Sequence, residues 1–365
     1  ILTALAVVLG IGFLSGTFIL TDSIQKTFDD LVSETSQNVD VVVRGTEAGA
    51  GGGDFTGVQR AQLPLSMADR LERVDGVRHA SPDIVGTVIL VVKNGLPVRN
   101  GGAPTLGYNY DPDAGVGEIK EGRAPLNGSE VLVESATLKR SGLEVGARTK
   151  ALIGDRPADV TIVGEFELDS SAAGASLVLI DQATAEQAFA PEGTVSSISV
   201  YAQDGVTQAE LAERVSRTLP AKAEAVTGEA YAKETKDAIN EGLSFFNIFL
   251  GAFAGIALFV GGFIIFNTFT MLVGQRTREL ALLRTVGASR MQIRRVVVGE
   301  ALAVGFIGGV LGLLLGLGLA AGLKALFGLF GLEITGALPV APRTVVVSMV
   351  VAMGVTALAA VIPTY

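Results

Sequence analysis

The sequence contains no cysteine, no tryptophan and a single histidine, and only 18% of its residues are charged. Without cysteine there is no disulfide framework, no thiolate metal site and no thiol nucleophile. The lone His79 has no second His, no Cys and no paired carboxylates at metal-ligand spacing around it. It therefore reads as an ordinary domain residue, and no catalytic, cofactor-binding or metal residue is assigned. No Walker A sequence occurs either, and Gly49-Ala50-Gly51-Gly52-Gly53 is a flexible loop because no Lys-Ser/Thr completes a phosphate cradle. The chain is not expected to be an enzyme, to hold a cofactor or to bind nucleic acid.

Apolar residues are plentiful instead. They make up 49% of the chain, and the mean hydropathy of +0.48 places it among membrane proteins with a soluble portion. Runs of membrane length, ~20 mostly apolar residues, occur at Ile1–Leu20, Ser244–Gly274, Val296–Leu323 and Thr344–Ile362. The first exceeds a signal-peptide core of ~7–15 residues and no A-x-A-like site follows, so it reads as an uncleaved anchor. The chain starts at Ile1 and stops at Tyr365, just after Pro363, which reads as a piece of a longer protein.

Charge separates two sides of the membrane. Of 28 basic and 37 acidic residues, 20 and 34 fall within 21–241, a net of about −14. The short connector Gln275–Arg295 carries six Arg against one Glu. Lys/Arg bias in short loops sets orientation, so the connector is placed in the cytoplasm and the acidic segment outside. The expected fold is an α-helical membrane protein of four transmembrane helices, with a mixed α/β extracytoplasmic domain between the first and second. By residue number this gives a first helix at 1–20, the outside domain with stalk helices at both ends at 21–241, and a second helix at 242–274. A coupling elbow at 275–295, a third helix at 296–324, a short outer loop at 325–343 and a fourth helix at 344–363 complete it.

Within the outside segment, strand-like runs appear at Val39–Arg44, Thr87–Val92, Glu130–Val133, Arg148–Ile153, Asp159–Val163, Leu177–Ile180 and Ser197–Tyr201, with turn signals at Asn94-Gly95 and Gly154-Asp155. Helices are bounded by legible caps. Thr207-Gln208-Ala209-Glu210 is a capping box for Gln208–Leu219, which Pro220 ends. Ser66 with Asp69 opens Met67–Val74 in the same way, and Asp181 caps Gln182–Phe189.

Two apolar stripes flank the domain. Leu20, Ile24, Phe28 and Leu31 carry the first helix outward, and Ile239, Leu243 and Phe246 run along a second helix that has no proline from Glu229 to Gly274. The pair predicts a stalk, the alternative being stripes lying on the lipid surface. Glycines at four-residue spacing, Gly12/Gly16, Gly251/Gly255, Gly305/Gly309, Gly308/Gly312/Gly316 and Gly318/Gly322, predict close helix packing. Glu300 near the cytoplasmic end and Asn267 and Thr268 are the main polar groups of the second and third spans, which argues against a hydrophilic channel.

In the connector, helix continues from Gln275 to Val286, Gly287 breaks it, and Ser289-Arg290-Met291-Gln292 caps a new helix. Its arginines enforce orientation whatever else they do. Asn267, then Gln275 through Ile293, then Glu300 and a Gly-rich span resemble the signature of the FtsX/MacB-like ABC transporter permeases. Glu121-Gly122-Arg123-Ala124-Pro125, Glu130–Val133, Val145-Gly146 and Thr161–Gly164 resemble that family's extracytoplasmic domain. The basic stretches usual before the first and after the last helix are missing, and the Ala/Gly/Val-rich composition is similar to actinobacterial members often built of two four-helix halves, a resemblance that implies this is the first half.

The resemblance implies a permease subunit working by mechanotransmission: a separate cytosolic ABC ATPase pushes on the elbow, and the stalk acts on the outside domain. Export or extraction of a lipid, lipoprotein, peptide or drug would follow. Arg284, Gly287, Ala288, Ser289, Arg290, Met291 and Ile293 are the expected ATPase contacts; a second half or protomer and membrane lipids are the other expected partners. The competing readings are a signalling or scaffolding protein that regulates an outside partner such as a cell-wall hydrolase, and a membrane-anchored enzyme, for which no polar constellation is present.

Overall fold

The computed structural model describes residues 2–50, 58–92, 94–98, 100, 103–114, 117–168, 172, 174–275, 282, 285, 289–329 and 337–361. It divides into two compact units. One comprises Ile1–Lys26, Leu243–Leu326 and Gly336–Tyr365, and the other comprises Thr27–Gly242 with Phe327–Thr335.

Four helices are long and apolar enough to cross a membrane: Leu2–Ser36, Gly228–Gln275, Arg290–Leu329 and Pro342–Val361. Each contains one of the apolar runs of the sequence. The first continues well past Leu20, and the second is an unbroken 48-residue helix, about 72 Å at ~1.5 Å per residue. That is more than twice a hydrocarbon core of ~30 Å. The absence of proline between Glu229 and Gly274 permits this length.

Glycine sets the packing of the membrane unit. The third helix turns Gly308, Gly312 and Gly316 to the first, where added Cβ atoms on Gly308 and Gly312 would stand 2.8 Å from Val7 Cγ1 and 2.7 Å from Ile11 Cβ. One on Gly16 would lie 3.1 Å from the Gly316 carbonyl, so these two backbones touch. The adjoining face of the third helix presents Gly305 and Gly309 to Ala352, Met353 and Met349 of the fourth. The second helix meets the first through Gly261 and the Ala6 carbonyl and the fourth through Gly262 and Val355. Gly251, Gly255, Gly318 and Gly322 face open space. Three of the five expected glycine sets therefore make packing seams, and two do not. The close seams need no strong polar partner: Ser15 returns its hydroxyl to the Ile11 carbonyl at 2.7 Å.

The outside unit holds two main sheets. The smaller runs Ala223–Thr227, Val41–Gly45, Ser197–Ala202, Val77–Pro82, all antiparallel. The larger runs Val85–Gly86, Thr105–Asn109, Ser176–Ile180, Glu130–Glu134, Arg156–Glu167, Arg148–Ile153, Val88–Leu90, with Glu118–Gly122 also pairing with Arg156–Glu167. One apolar cluster joins them, through Val41, Val43 and Ile198 of the smaller and Val131, Ile162 and Val178 of the larger, all fully buried. Each such side chain contributes ~1.5–3 kcal/mol. Both central strands, Val41–Gly45 and Ser176–Ile180, are buried at every residue rather than alternately, and their runs Val41–Val43 and Leu177–Ile180 are wholly apolar, as two-sided burial requires.

Local signals largely hold. Arg148–Ile153 and Arg156–Glu167 form a hairpin across Gly154-Asp155, with Gly154 at φ +58° and Ile153 opposite Arg156. Thr207 and Glu210 make a reciprocal capping box and Asp181 accepts from the Thr184 N–H. Ser66 departs from expectation. It lies in helical backbone and makes no side-chain cap, and its helix is the short Met67–Leu71 and not Met67–Val74. Gln208–Ser216 likewise stops before Leu219. Five strands of the two main sheets lacked a sequence signal, among them Val77–Pro82, which reads Val-Arg-His-Ala-Ser-Pro, and Thr105–Asn109, which carries Gly107.

Candidate coupling site

At the connector, Ser289 and Gln292 form the expected capping box. The Ser289 N–H donates to Gln292 Oε1 at 2.8 Å and the Gln292 N–H to Ser289 Oγ at 3.2 Å. This satisfies two of the open N–H groups of a helix start and fixes where Arg290–Leu329 begins. Met291, on the first turn of that helix, is 58% exposed. Arg284, Gly287 and Ala288 lie outside the described residues, as do the side chains of Arg290 and Ile293.

Among the stalk residues Leu20 is buried, Ile24, Phe28, Leu31, Ile239 and Leu243 are half-buried, and the Phe246 side chain lies outside the description. Leu31 packs on the apolar cluster of Leu132, Phe166 and Leu177 on the larger sheet, so the first helix is seated on the outside domain. Lys236 Nζ donates to Ser33 Oγ at 2.7 Å, tying the two stalk helices together.

The firmest attachment was not evident in the sequence. Arg44, at the end of the buried run Val41–Val43, is 7% exposed. It donates through Nε to Glu224 at 2.8 Å and through Nη2 to Glu234 at 2.7 Å. Arg60 reaches the same two carboxylates at 3.0 Å each. Burial by itself would lower the Arg44 pKa; the hydrogen bonds and charges of Glu234 and Glu224 outweigh it, and the pKa is raised. Glu234 sits on the helix Gly228–Gln275 and Glu224 on the strand before it. Two buried cations thus bind the root of that helix to the centre of the smaller sheet. The available signal was an arginine directly following three valines, a position where burial must be compensated.

Two further groups gather elsewhere in the outside domain. Asp83 is half-buried beneath Ser197 and Ser199, whose hydroxyls each donate to it at 2.7 Å; desolvation raises its pKa, against those hydrogen bonds. Nearby, His79, Asp111 and Asp113 bring one ligand atom each within 4.8 Å of one another. The sequence placed His79 without metal-binding company because Asp111-Pro112-Asp113 lies some thirty residues away.

Comparison with known proteins decides the family. Residues 1–218 match the MacB-like periplasmic core domain and residues 251–365 match the FtsX-like permease C-terminal model. The chain belongs to the FtsX/MacB-like ABC transporter permeases. It is a multi-pass protein of the bacterial cell membrane with its α/β domain outside the cytoplasm. An uncharacterized ABC transporter permease protein of Mycobacterium tuberculosis is 32% identical over 54% of this chain and 22% of its own length. The macrolide export ATP-binding/permease protein MacB of Brucella abortus is 26% identical over 88% of this chain and 50% of its own. The chain therefore spans half or less of the length of these curated relatives. Among solved structures, the periplasmic region of MacB from Actinobacillus actinomycetemcomitans is similar at 16% identity with a TM-score of 0.42, covering 55% of this chain and 94% of that one. In this permease the MacB-like and FtsX-like matches fall on the outside domain with its leading helix and on the last three helices respectively.

Proposed function

We propose that this permease transmits force, with ATP-driven closure of an ABC ATPase at residues 275–295 moving the helices Leu2–Ser36 and Gly228–Gln275, which act on the outside domain. The observation that carries this reading is the continuity of the second helix. It is one unbroken element from Gly228, where Arg44 and Arg60 hold Glu234, to Gln275 at the connector. A rigid element anchored by buried charge at one end transmits displacement; a hinge would absorb it.

The open groove of about 480 Å³ among the first three helices is lined by apolar side chains such as Phe13, Ile264 and Leu319, which also favours this over passage of a hydrophilic solute. The ATP hydrolysis that drives it is placed on a separate ATPase subunit, whereas the name of the Brucella MacB joins ATP-binding and permease in one protein. The cargo class is a lipid, lipoprotein, peptide or drug exported or extracted at the outer face.

Gly287, Ala288, Ser289, Met291 and Ile293 form the surface seated in the ATPase, with Arg284 and Arg290 at its rim. Gly287→Val and Met291→Ala should each reduce co-purification of the ATPase and stimulated turnover while membrane insertion persists, since losing one buried anchor costs ≥ ~2 kcal/mol of binding. Unchanged co-purification and turnover in both variants would refute the assignment. Loss of control over an outside hydrolase, with no cargo moved by the intact complex, would instead identify a signalling role.

A further inference from the structure

We propose that His79, Asp111 and Asp113 bind a divalent transition-metal ion, Zn²⁺ or Mn²⁺, with Glu72 positioning the imidazole. His79 lies on the strand Val77–Pro82 of the smaller sheet, and Asp111 and Asp113 follow the strand Thr105–Asn109 of the larger. The three offer one nitrogen and two carboxylates, a donor set suited to these ions.

The imidazole is held for the task. Its ring stacks on Tyr201 with centroids 5.8 Å apart, and Nδ1 lies 3.0 Å from Glu72 Oε1. A carboxylate that accepts a hydrogen bond from Nδ1–H keeps the proton on Nδ1 and leaves the Nε2 lone pair free to ligate, the arrangement that orients metal-binding histidines. Nε2 faces Asp111 Oδ1 at 3.5 Å. That is long for a hydrogen bond, whose range is ~2.7–3.2 Å. It matches the separation of about 3.4 Å between two atoms each ~2.1 Å from a tetrahedral ion.

A second observation points to a missing cation. The Asp111 side chain is 7% exposed, yet its Oδ2 has no hydrogen-bond partner among the described residues. Oδ1 accepts from the Asp113 N–H at 2.9 Å. A buried carboxylate left half-satisfied is costly, and the charges around it are mostly negative. Arg78 pairs with Asp113 through Oδ1, which leaves the other Asp113 oxygen for an ion. Bound there, the ion would clip the edge of the smaller sheet to the end of a strand of the larger, so the site stiffens the domain on which the stalk acts.

The test uses the full chain in detergent, without a polyhistidine tag and stripped by chelator. Calorimetric titration with ZnCl₂ or MnCl₂ should give one site per chain and a raised thermal midpoint, with CaCl₂ and MgCl₂ giving neither. Glu72→Gln should weaken binding ~10–100-fold, and His79→Ala and Asp111→Asn should abolish it. His79 is the only histidine and there is no cysteine, so X-ray absorption of the Zn²⁺-loaded protein should show a single imidazole nitrogen and otherwise oxygen. That spectrum decides the matter even if a substitution impairs folding. An all-oxygen shell, no binding by the unaltered chain, or undiminished binding by a folded His79→Ala variant would overturn the proposal.

Discussion

Arg44 donates through Nη2 to Glu234 at 2.7 Å, joining the central strand Val41–Gly45 of the smaller sheet to the helix that continues through residue 275. The arginine is buried and the glutamate about 40% exposed, so the charge that would suffer from loss of the pair is the arginine. Arg60, its side chain 7% exposed, depends on the same two carboxylates. The four groups work as a unit in which removing one acid leaves two buried cations sharing a single carboxylate.

Glu234→Ala should therefore destabilise the outside domain by on the order of 3 kcal/mol, the low end for breaking a buried pair because the glutamate is half-exposed. Lys233→Ala, which removes an exposed pair with Asp237 one position away, should cost under ~0.5 kcal/mol. Chemical denaturation of the purified permease measures both. Equal costs would mean that the network contributes no more than a surface pair.

The glycine seam makes a sharper comparison, because two glycines two residues apart differ only in what faces them. An added Cβ on Gly316 would strike the first helix, whereas one on Gly318 meets nothing within 4 Å. Gly316→Val should lower the thermal midpoint in detergent by a shift corresponding to ~1–3 kcal/mol of overpacking, and Gly318→Val should leave it nearly unchanged. A matched pair of shifts would show that the first and third helices do not pack through these glycines.

Acid dependence can be read at Glu130. The Arg123 guanidinium binds its carboxylate through two hydrogen bonds of 2.7 and 2.6 Å, and the Leu126 N–H adds a third, holding the pKa down at about 2. An unfolded glutamate titrates near ~4.3. Between those values the folded state binds fewer protons than the unfolded one, so stability falls with falling pH. The contribution is complete above pH ~5 and gone once pH has dropped through about 2. The midpoint difference between the unaltered chain and Glu130→Gln should shrink over that window. A difference independent of pH would contradict the ion pair.

These positions also indicate why some of the molecule was legible in advance. Arg123 and Glu130 lie in the family-like segments Glu121–Pro125 and Glu130–Val133, yet nothing in those segments marked them as a pair, which the structure forms by closing one local loop. Caps such as Thr207 with Glu210 are readable because both partners sit within one turn. Ser66 with Asp69 carried the same pattern without the bond, since its backbone is already helical. Arg44 with Glu234, and His79 with Asp111, join residues far apart in sequence, and only strand order brings them together. The glycine pattern told that helices approach but not which ones, and Gly251/Gly255 carries the motif while facing open space.

The stalk distinguishes force transmission from solute passage. Leu20, Ile24, Phe28 and Leu31 should face Ile239, Leu243 and Phe246 in a helix pair whose separation follows the nucleotide state of the ATPase. Each buried apolar side chain is worth ~1.5–3 kcal/mol, firm enough for a lever yet within reach of ATP-driven closure. Because the chain has no cysteine of its own, Ile24→Cys with Leu243→Cys introduces a single reporter pair. Cross-linking should occur and its yield should change between ATP-bound and nucleotide-free complexes, and the oxidised pair should abolish outside function while ATP binding persists. Ser33 and Lys236, already hydrogen bonded at 2.7 Å, supply the positive control at the outer end, as a Ser33→Cys, Lys236→Cys pair. If that control pair closes but Ile24 and Leu243 never do in any nucleotide state, and solute accumulates through the reconstituted complex, the helices form a conduit and not a lever.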